Sequence, residues 1–216
     1  GSTCVLTKGP VKESNSKYAQ GGIAAALGSK DDPDIHLADT IRAGMNLCDP
    51  HAVEILVNEA PNRIQQLANL GVPFDMQNGT FALGHEAAHS YPRIIHAGGD
   101  KTGEAIETIM VRKVENAGIR ILDCHTATEL LIDKRRVAGV KALTPENKII
   151  SITANWIILA TGGAGRLYSV TTNPEVSTGD GLALAYRTGA ALRDMEFIQF
   201  HPTALSIPSA PAFLLT

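Results

Sequence analysis

Two stretches of small residues carry the chemical interest of this sequence. In the first, the apolar run Trp156–Leu159 drives into a turn holding Gly162, Gly163 and Gly165. A short apolar run bounded by glycines reads as a strand buried on both faces, in a parallel sheet with helices above and below. Glycines just beyond such a strand bring backbone N–H groups close to a ligand, and ligands of open α/β sheets sit at that carboxyl edge. A tight strand-to-helix connection with nothing bound looks the same. The second stretch, 14–26, is polar, then glycine-rich, then alanine-rich. It lets something flat, or another backbone, lie along the main chain, and a loop packed under a helix has the same composition.

Other polar groups stand apart from these. Asp180, between Gly179 and Gly181, heads a helix, where an aspartate is ordinarily a plain cap. His201 and Thr203 bracket a proline. Residues 71–93 have little periodicity and are too long for an ordinary connection; loops of that length tend to be binding or lid segments. They hold His85, Glu86 and His89. With His96, these histidines read as hydrogen-bonding loop residues rather than metal ligands, since no second ligand cluster accompanies them. Cys4, Cys48 and Cys124 are unclustered, which fits neither a disulfide framework nor a zinc site and favours a reducing cytoplasm.

The elements that must position these groups follow from the pattern. The 216 residues are 44% hydrophobic and 19% charged, a globular composition with length for a real core. A net charge of -3 gives no electrostatic case for nucleic acid or an anionic membrane, and no apolar run approaches a membrane span. Residues 3–7 read as a strand. Asp34–Ala43 reads as a helix facing inward through Ile35, Ala38 and Ile41. Asp49-Pro50 starts another, carrying Val53, Leu56 and Val57 inward. Pro61 should break or kink it, with Ile64, Leu67 and Leu70 continuing a second face until Gly71. Thr102 caps a helix with Ile106, Ile109, Met110 and Val114 on one side. Arg120–Asp123 is a short strand.

Strands at Thr128–Ile132, Val137–Leu143 and Lys148–Thr153 with tight turns make a small antiparallel unit inside an otherwise parallel α/β pattern. A helix from Gly179 to Thr188 packs through Leu182, Ala183 and Ala185. Both ends read as cut, so the chain is expected to be part of a longer one.

Several segments together carry a resemblance: Leu6–Pro10, Tyr18–Ala25, Arg93–Ala97 with Thr102-Gly103, Ala160–Gly163, Thr172–Pro174, Gly179–Gly181 and Phe200–Thr203. In this order, over nearly the whole chain, they resemble the flavoprotein family of fumarate reductase, succinate dehydrogenase and L-aspartate oxidase, most of all its aspartate-oxidising members. The resemblance implies an FAD-binding Rossmann-like parallel sheet of the two-dinucleotide-binding type, with the antiparallel meander inserted. It divides the chain into an FAD-binding domain over 1–194, lacking its first strand and G-x-G-x-x-G turn, and the beginning of a substrate-capping domain over 195–216.

Carried over residue by residue, the resemblance places Lys8 near the adenosine ribose. It wraps Asn15, Ser16, Lys17, Tyr18, Ala19, Gln20, Gly21 and Gly22 around flavin and pyrophosphate. Thr126 and Ala127 offer main-chain contacts to the adenine side, and Asp180 is a flavin or ribose ligand. His201 and Thr216 hold a substrate carboxylate. Glu86 faces the substrate amine, whose ammonium would be costly to desolvate without a counter-charge. Membrane-complex members hold FAD covalently through a histidine where this chain has Asn15, so a noncovalent flavin is implied. The implied reaction oxidises L-aspartate to iminosuccinate with oxygen or fumarate as acceptor. It is the first step of de novo NAD synthesis, with hand-over of the product to quinolinate synthase. Two alternatives remain: a soluble fumarate reductase or succinate dehydrogenase flavoprotein, and, for this chain by itself, an inactive fragment. The proton-transfer arginine of the family falls outside the chain.

Overall fold

The computed structural model describes residues 1–201, 203–205 and 213–214. They form two compact units, one made of residues 1–15 and 111–216 and the other of residues 16–110.

In the first unit, β1 (Cys4–Leu6) pairs in parallel with β7 (Arg120–Leu122). The ladder continues beyond both strands, because the His125 N–H donates to the Thr7 carbonyl and the Cys124 N–H to the Gly9 carbonyl. The expected meander is present as β8 (Thr126–Asp133), β9 (Arg136–Leu143) and β10 (Ile149–Thr153), in the order β10-β9-β8. Alternate residues bury Leu130 and Ala142. A 3-10 turn at Gly165–Leu167 precedes α4 (Asp180–Arg187), whose inward face is Gly181 and Leu184 rather than the alanines. Two short pieces, β11 (Ala204–Leu205) and β12 (Phe213–Leu214), pair antiparallel.

The expected buried strand at Trp156–Leu159 is not formed. Trp156 is 82% and Ile158 90% exposed, and no described strand pairs with this segment. An extended segment becomes a strand only when a neighbour satisfies its N–H and C=O groups, and here none does.

The second unit is built on two helices and a three-stranded antiparallel sheet. α1 (Pro33–Ala43) is capped by the Asp32 carboxylate, which accepts the Ile35 N–H. Its buried residues are His36 and Asp39, not the apolar positions, and Ala38 is exposed. α2 (Pro50–Leu70) starts on Asp49, which accepts the N–H groups of His51 and Ala52, and ends at Gly71 in the left-handed region (φ 105°). Pro61 does not break it. Val53, Val57 and Ile64 are buried along one continuous face, and their packing outweighs the roughly 3 kcal/mol that an internal proline costs. Leu56 is exposed and Leu70 more than a third so.

Residues 71–93 are less irregular than their composition implies. β3 (Met76–Gln77) and β4 (Thr80–Phe81) form a tight hairpin, and β5 (Leu83–Gly84) joins β2 (Ile23–Ala24) across the central β6 (Ile94–Ile95). The core cluster of Ala25, Ile64, Val72, Phe74, Ile95 and Ala97 lies between this sheet and α2, with Ile106 and Ile109 of α3 (Thr102–Asn116) against it. Thr102 opens α3 as its first residue, and its hydroxyl accepts the Ala97 N–H. Among the described residues no helix is long and apolar enough to cross a membrane, and no metal-binding cluster occurs.

Candidate functional site

The candidate residues fall into both units, and each group stands by itself. In the first unit they gather where the β1–β7 ladder ends. Lys8 follows β1, and Thr126 and Ala127 open β8, an edge strand of the meander. Lys8 Nζ lies 2.5 Å from Asp180 Oδ2 and donates also to the Thr178 hydroxyl. Asp180 is therefore not the cap of α4: the N-cap is Gly179, with φ 76°, and no side chain caps that end. Burial pushes the Asp180 carboxyl up, yet hydrogen bonds from Lys8 and Thr178 and the Lys8 charge hold it below the ordinary carboxylate range.

Asn15 Nδ2 donates to the Ser177 hydroxyl at 2.6 Å, and a Cβ on Gly162 would stand 3.2 Å from the same nitrogen. Gly162 is in the left-handed region (φ 69°), and the Gly179 N–H donates to the Gly163 carbonyl. The glycine turn and the start of α4 are thus tied together, with Asn15 beside them. His201 is exposed, and its Nδ1 accepts the Thr203 N–H at 3.3 Å. Thr216 lies outside the described residues.

In the second unit, residues 16–22 run along the start of α3. The Gly103 N–H donates to the Ala19 carbonyl at 3.0 Å, and the Ser16 carbonyl occupies the space that a Cβ on Gly103 would need. Two of the segments that carry the resemblance, Tyr18–Ala25 and Thr102-Gly103, are therefore in direct contact. Lys17 Nζ lies 5.4 Å from the centre of the Tyr18 ring, within cation–π range. Gly22 leads into β2.

Glu86 follows β5 on an exposed turn, 3.9 Å from His96 Nε2, which follows β6. Beneath this turn lies a set of buried charges that the apolar positions of α1 do not indicate. Arg93 is fully buried and grips Asp31 with two hydrogen bonds (2.9 and 2.7 Å) and Asp39 with a third (2.9 Å). Asp39 also accepts the Ser90 N–H and hydroxyl, both at 2.7 Å, and an Arg42 N–H at 2.6 Å. Burial pushes the Asp39 carboxyl up, but Ser90 and Arg93 more than reverse this and bring it to about 2. His36 packs 5.9 Å from the His89 ring, with its own Nδ1 buried and without a hydrogen-bond partner among the described residues. Burial, then the Arg93 and His89 charges, hold the His36 imidazole below its usual value against Asp31 and Asp39. The sequence offered one signal for this network, polar residues at helical spacing (His36, Asp39) on α1.

The main chain is open at two of the candidate glycines. A Cβ on Gly21 or on Gly163 would meet nothing within 4 Å, so each backbone is uncovered on that side. Each unit taken by itself thus offers open main chain and polar side chains, Gly163, Asn15 and Thr126 in the first and Gly21 and Ser16 in the second, which is the chemistry that recognition of an adenine dinucleotide uses.

Comparison with known proteins agrees with that chemistry. The model of the FAD binding domain family matches residues 1–216. L-aspartate oxidase from Nostoc sp. is 45% identical over 98% of this chain and 37% of its own length. The enzyme of the same name from Streptomyces coelicolor is 45% identical over 96% of the chain and 37% of its length. Among solved structures, Mycobacterium smegmatis Sdh1 in complex with UQ1 matches with a TM-score of 0.90 and 34% identity, over 100% of this chain and 39% of that one. A mutant of E. coli quinol fumarate reductase FrdA matches with a TM-score of 0.89 and 31% identity, over 99% and 36%. The chain spans well under half the length of the relatives it matches.

Proposed function

The chain belongs to the FAD binding domain family, and on that premise we propose that it is the flavin-binding portion of an enzyme that oxidises L-aspartate to iminosuccinate. FAD is the cofactor, held noncovalently since Asn15 offers an amide and no nucleophilic ring nitrogen. When bound, it supplies the acceptor for the two electrons and hydrogen leaving the substrate Cα. We keep residues 1–194 as the FAD-binding domain and 195–216 as the start of the domain that closes over substrate.

The protein groups bind and orient. Lys8, Asp180, Thr126 and Ala127 serve the adenosine half, and Asn15 to Gly22 serve the pyrophosphate and ring. His201 and Thr216 each give a hydrogen bond to a substrate carboxylate, and Glu86 offers the ammonium its counter-charge. Holding the substrate in one orientation is itself a large part of the rate. The product, an unstable imine, is handed to quinolinate synthase in the cytoplasm as the first step of de novo NAD synthesis.

The single observation that carries the choice of substrate is Glu86, an exposed carboxylate beside a titratable ring. Succinate and fumarate have no ammonium for it to meet. Full-length Glu86→Gln should therefore lose aspartate turnover far more than fumarate reduction. Equal loss of the two removes this role and leaves the fumarate reductase or succinate dehydrogenase reading, which similarity to Sdh1 and FrdA also supports.

A further inference from the structure

His96 stands where the proposed reaction has a proton to move. The ring follows the central strand β6, whose Ile94 and Ile95 are buried, and its backbone carbonyl accepts the Asp75 N–H at 2.8 Å. Two glycines clear space for it: a Cβ on Gly22 would lie 2.9 Å from Nε2, and one on Gly84 3.3 Å from Cε1. Nε2 thus lies close to two things, the main chain of Gly22 in the stretch assigned to the flavin, and Glu86 Oε1 at 3.9 Å. Asp75, whose own N–H meets the His96 carbonyl, has its carboxylate committed to the N–H groups of Gly98 and Gly99.

A separation of 3.9 Å is too long for a hydrogen bond between Nε2 and Oε1. It suits a third atom bonded to both. A nitrogen about 2.8 Å from each would make an angle of about 90° between its two hydrogen bonds, within reach of a tetrahedral ammonium. Amine oxidation needs that ammonium to lose a proton, because the nitrogen lone pair must be free to form C=N as the hydride leaves.

We propose that His96 is the group that takes this proton: neutral Nε2 accepts it from the substrate ammonium while Glu86 holds the same nitrogen. One N–H bond of the ammonium breaks and an N–H bond forms on Nε2. The freed lone pair would become the second C–N bond of an iminium, which loses one more proton to water to give the imine; FAD, when bound, would supply the acceptor for the hydride that leaves Cα. The imidazolium, with 29% of its side chain exposed, returns its proton to water. This assignment rests on the aspartate reading of the site.

The test uses the full-length flavin-loaded enzyme with His96→Gln and His96→Ala. His96→Gln should lower kcat/KM for L-aspartate about 100-fold and fumarate reduction by less than about threefold. Added imidazole should restore aspartate turnover in His96→Ala. Calorimetric binding of L-aspartate to the dithionite-reduced enzyme, which cannot take up the hydride, gives a readout apart from turnover: His96→Ala should weaken it about fivefold, the loss of one hydrogen bond to the ammonium. Equal losses for aspartate and fumarate, or unchanged aspartate kinetics, overturn the assignment, as does failure of imidazole to rescue. If Glu86→Gln shows no preference for aspartate either, the substrate reading itself fails. If Glu86→Gln is selective and His96→Gln is not, only the proton acceptor is wrong.

Discussion

Lys8 and Asp180 lie 172 positions apart in sequence and 2.5 Å apart in space. The contact joins the end of β1 to the first turn of α4, two elements that the resemblance assigns separately to cofactor binding. Both side chains remain partly exposed, so solvent screens the pair and its direct worth to folding is about 0.5 kcal/mol. On the proposed reading its value lies in fixing a carboxylate for the cofactor. Asp180→Asn should leave the melting temperature of the flavin-free protein nearly unchanged and raise the Kd for FAD about tenfold. That corresponds to losing one charge-assisted hydrogen bond, and fluorescence titration of FAD into the apoprotein measures it. A large drop in melting temperature with unchanged Kd would make the pair purely structural.

Arg93 has a different standing. Its guanidinium is fully buried between Asp31 and Asp39, where water cannot compensate for a missing partner. Arg93→Met leaves two buried carboxylates without their cation and should destabilise the protein by about 3–5 kcal/mol. Arg93→Lys keeps the charge but loses the two-pronged grip on Asp31, so it should recover only part of that loss. Thermal melting of the flavin-loaded enzyme gives the ranking. Near-native stability of Arg93→Met would mean that the charges relax into solvent.

The same network sets an acid limb in two stages. Asp39 is depressed from 3.8 to about 2 in the folded protein. Its stabilising effect is therefore full above pH 3.8 and is lost as pH falls through about 2, a difference on the order of 2 kcal/mol. His36 is also depressed, from 6.5, but it is a base: the folded state favours the neutral ring. That contribution is complete above pH 6.5 and declines as pH falls below it toward the folded value. Denaturation midpoints between pH 7.5 and about 4 should therefore fall on acidification, and His36→Leu should flatten the upper part of this limb. An unaltered slope in His36→Leu would assign it to another group.

How far the sequence carries the reader differs between these elements. Helix starts were legible where one residue does the work, as at Asp49-Pro50, because capping is local. The meander was legible because alternation and turn residues are local too. The inward face of α1 was not: Ile35, Ala38 and Ile41 share one stripe, while the buried residues are His36 and Asp39. What turns that helix is Arg93, more than fifty positions away, and no periodicity records a distant ion pair. Trp156–Leu159 failed for a related reason, since strand propensity is realised only against a partner strand. At the candidate site the glycines were readable as open backbone. Asp180 was read from its position as a cap, and its pairing with Lys8 needed the fold. His96, with His85 and His89, reads in the sequence as a hydrogen-bonding loop residue because no second ligand cluster accompanies them, and its place beside Glu86 needed the fold.

The β8–β9 turn supplies a change that stabilises without touching any candidate residue. Asp133 pairs with Arg136, leaving Lys134 and Arg135 as the two central residues, at φ 45° and 67°. Positive φ at both positions is the hairpin geometry that matches the twist of the flanking strands, and it favours Asn-Gly. Side chains with a Cβ and no local hydrogen bond cost about 1–2 kcal/mol each there. Both residues are exposed, so replacing them removes no buried contact. Lys134→Asn with Arg135→Gly should stabilise by about 1 kcal/mol, after the extra unfolded-state entropy of glycine is deducted. That raises the melting temperature by about 2–4 °C with FAD affinity unchanged. Arg135→Val should do the opposite, because a β-branched side chain tolerates positive φ least. If both variants melt with the unaltered protein, the turn opens before the cooperative transition and its strain is not part of the stability measured.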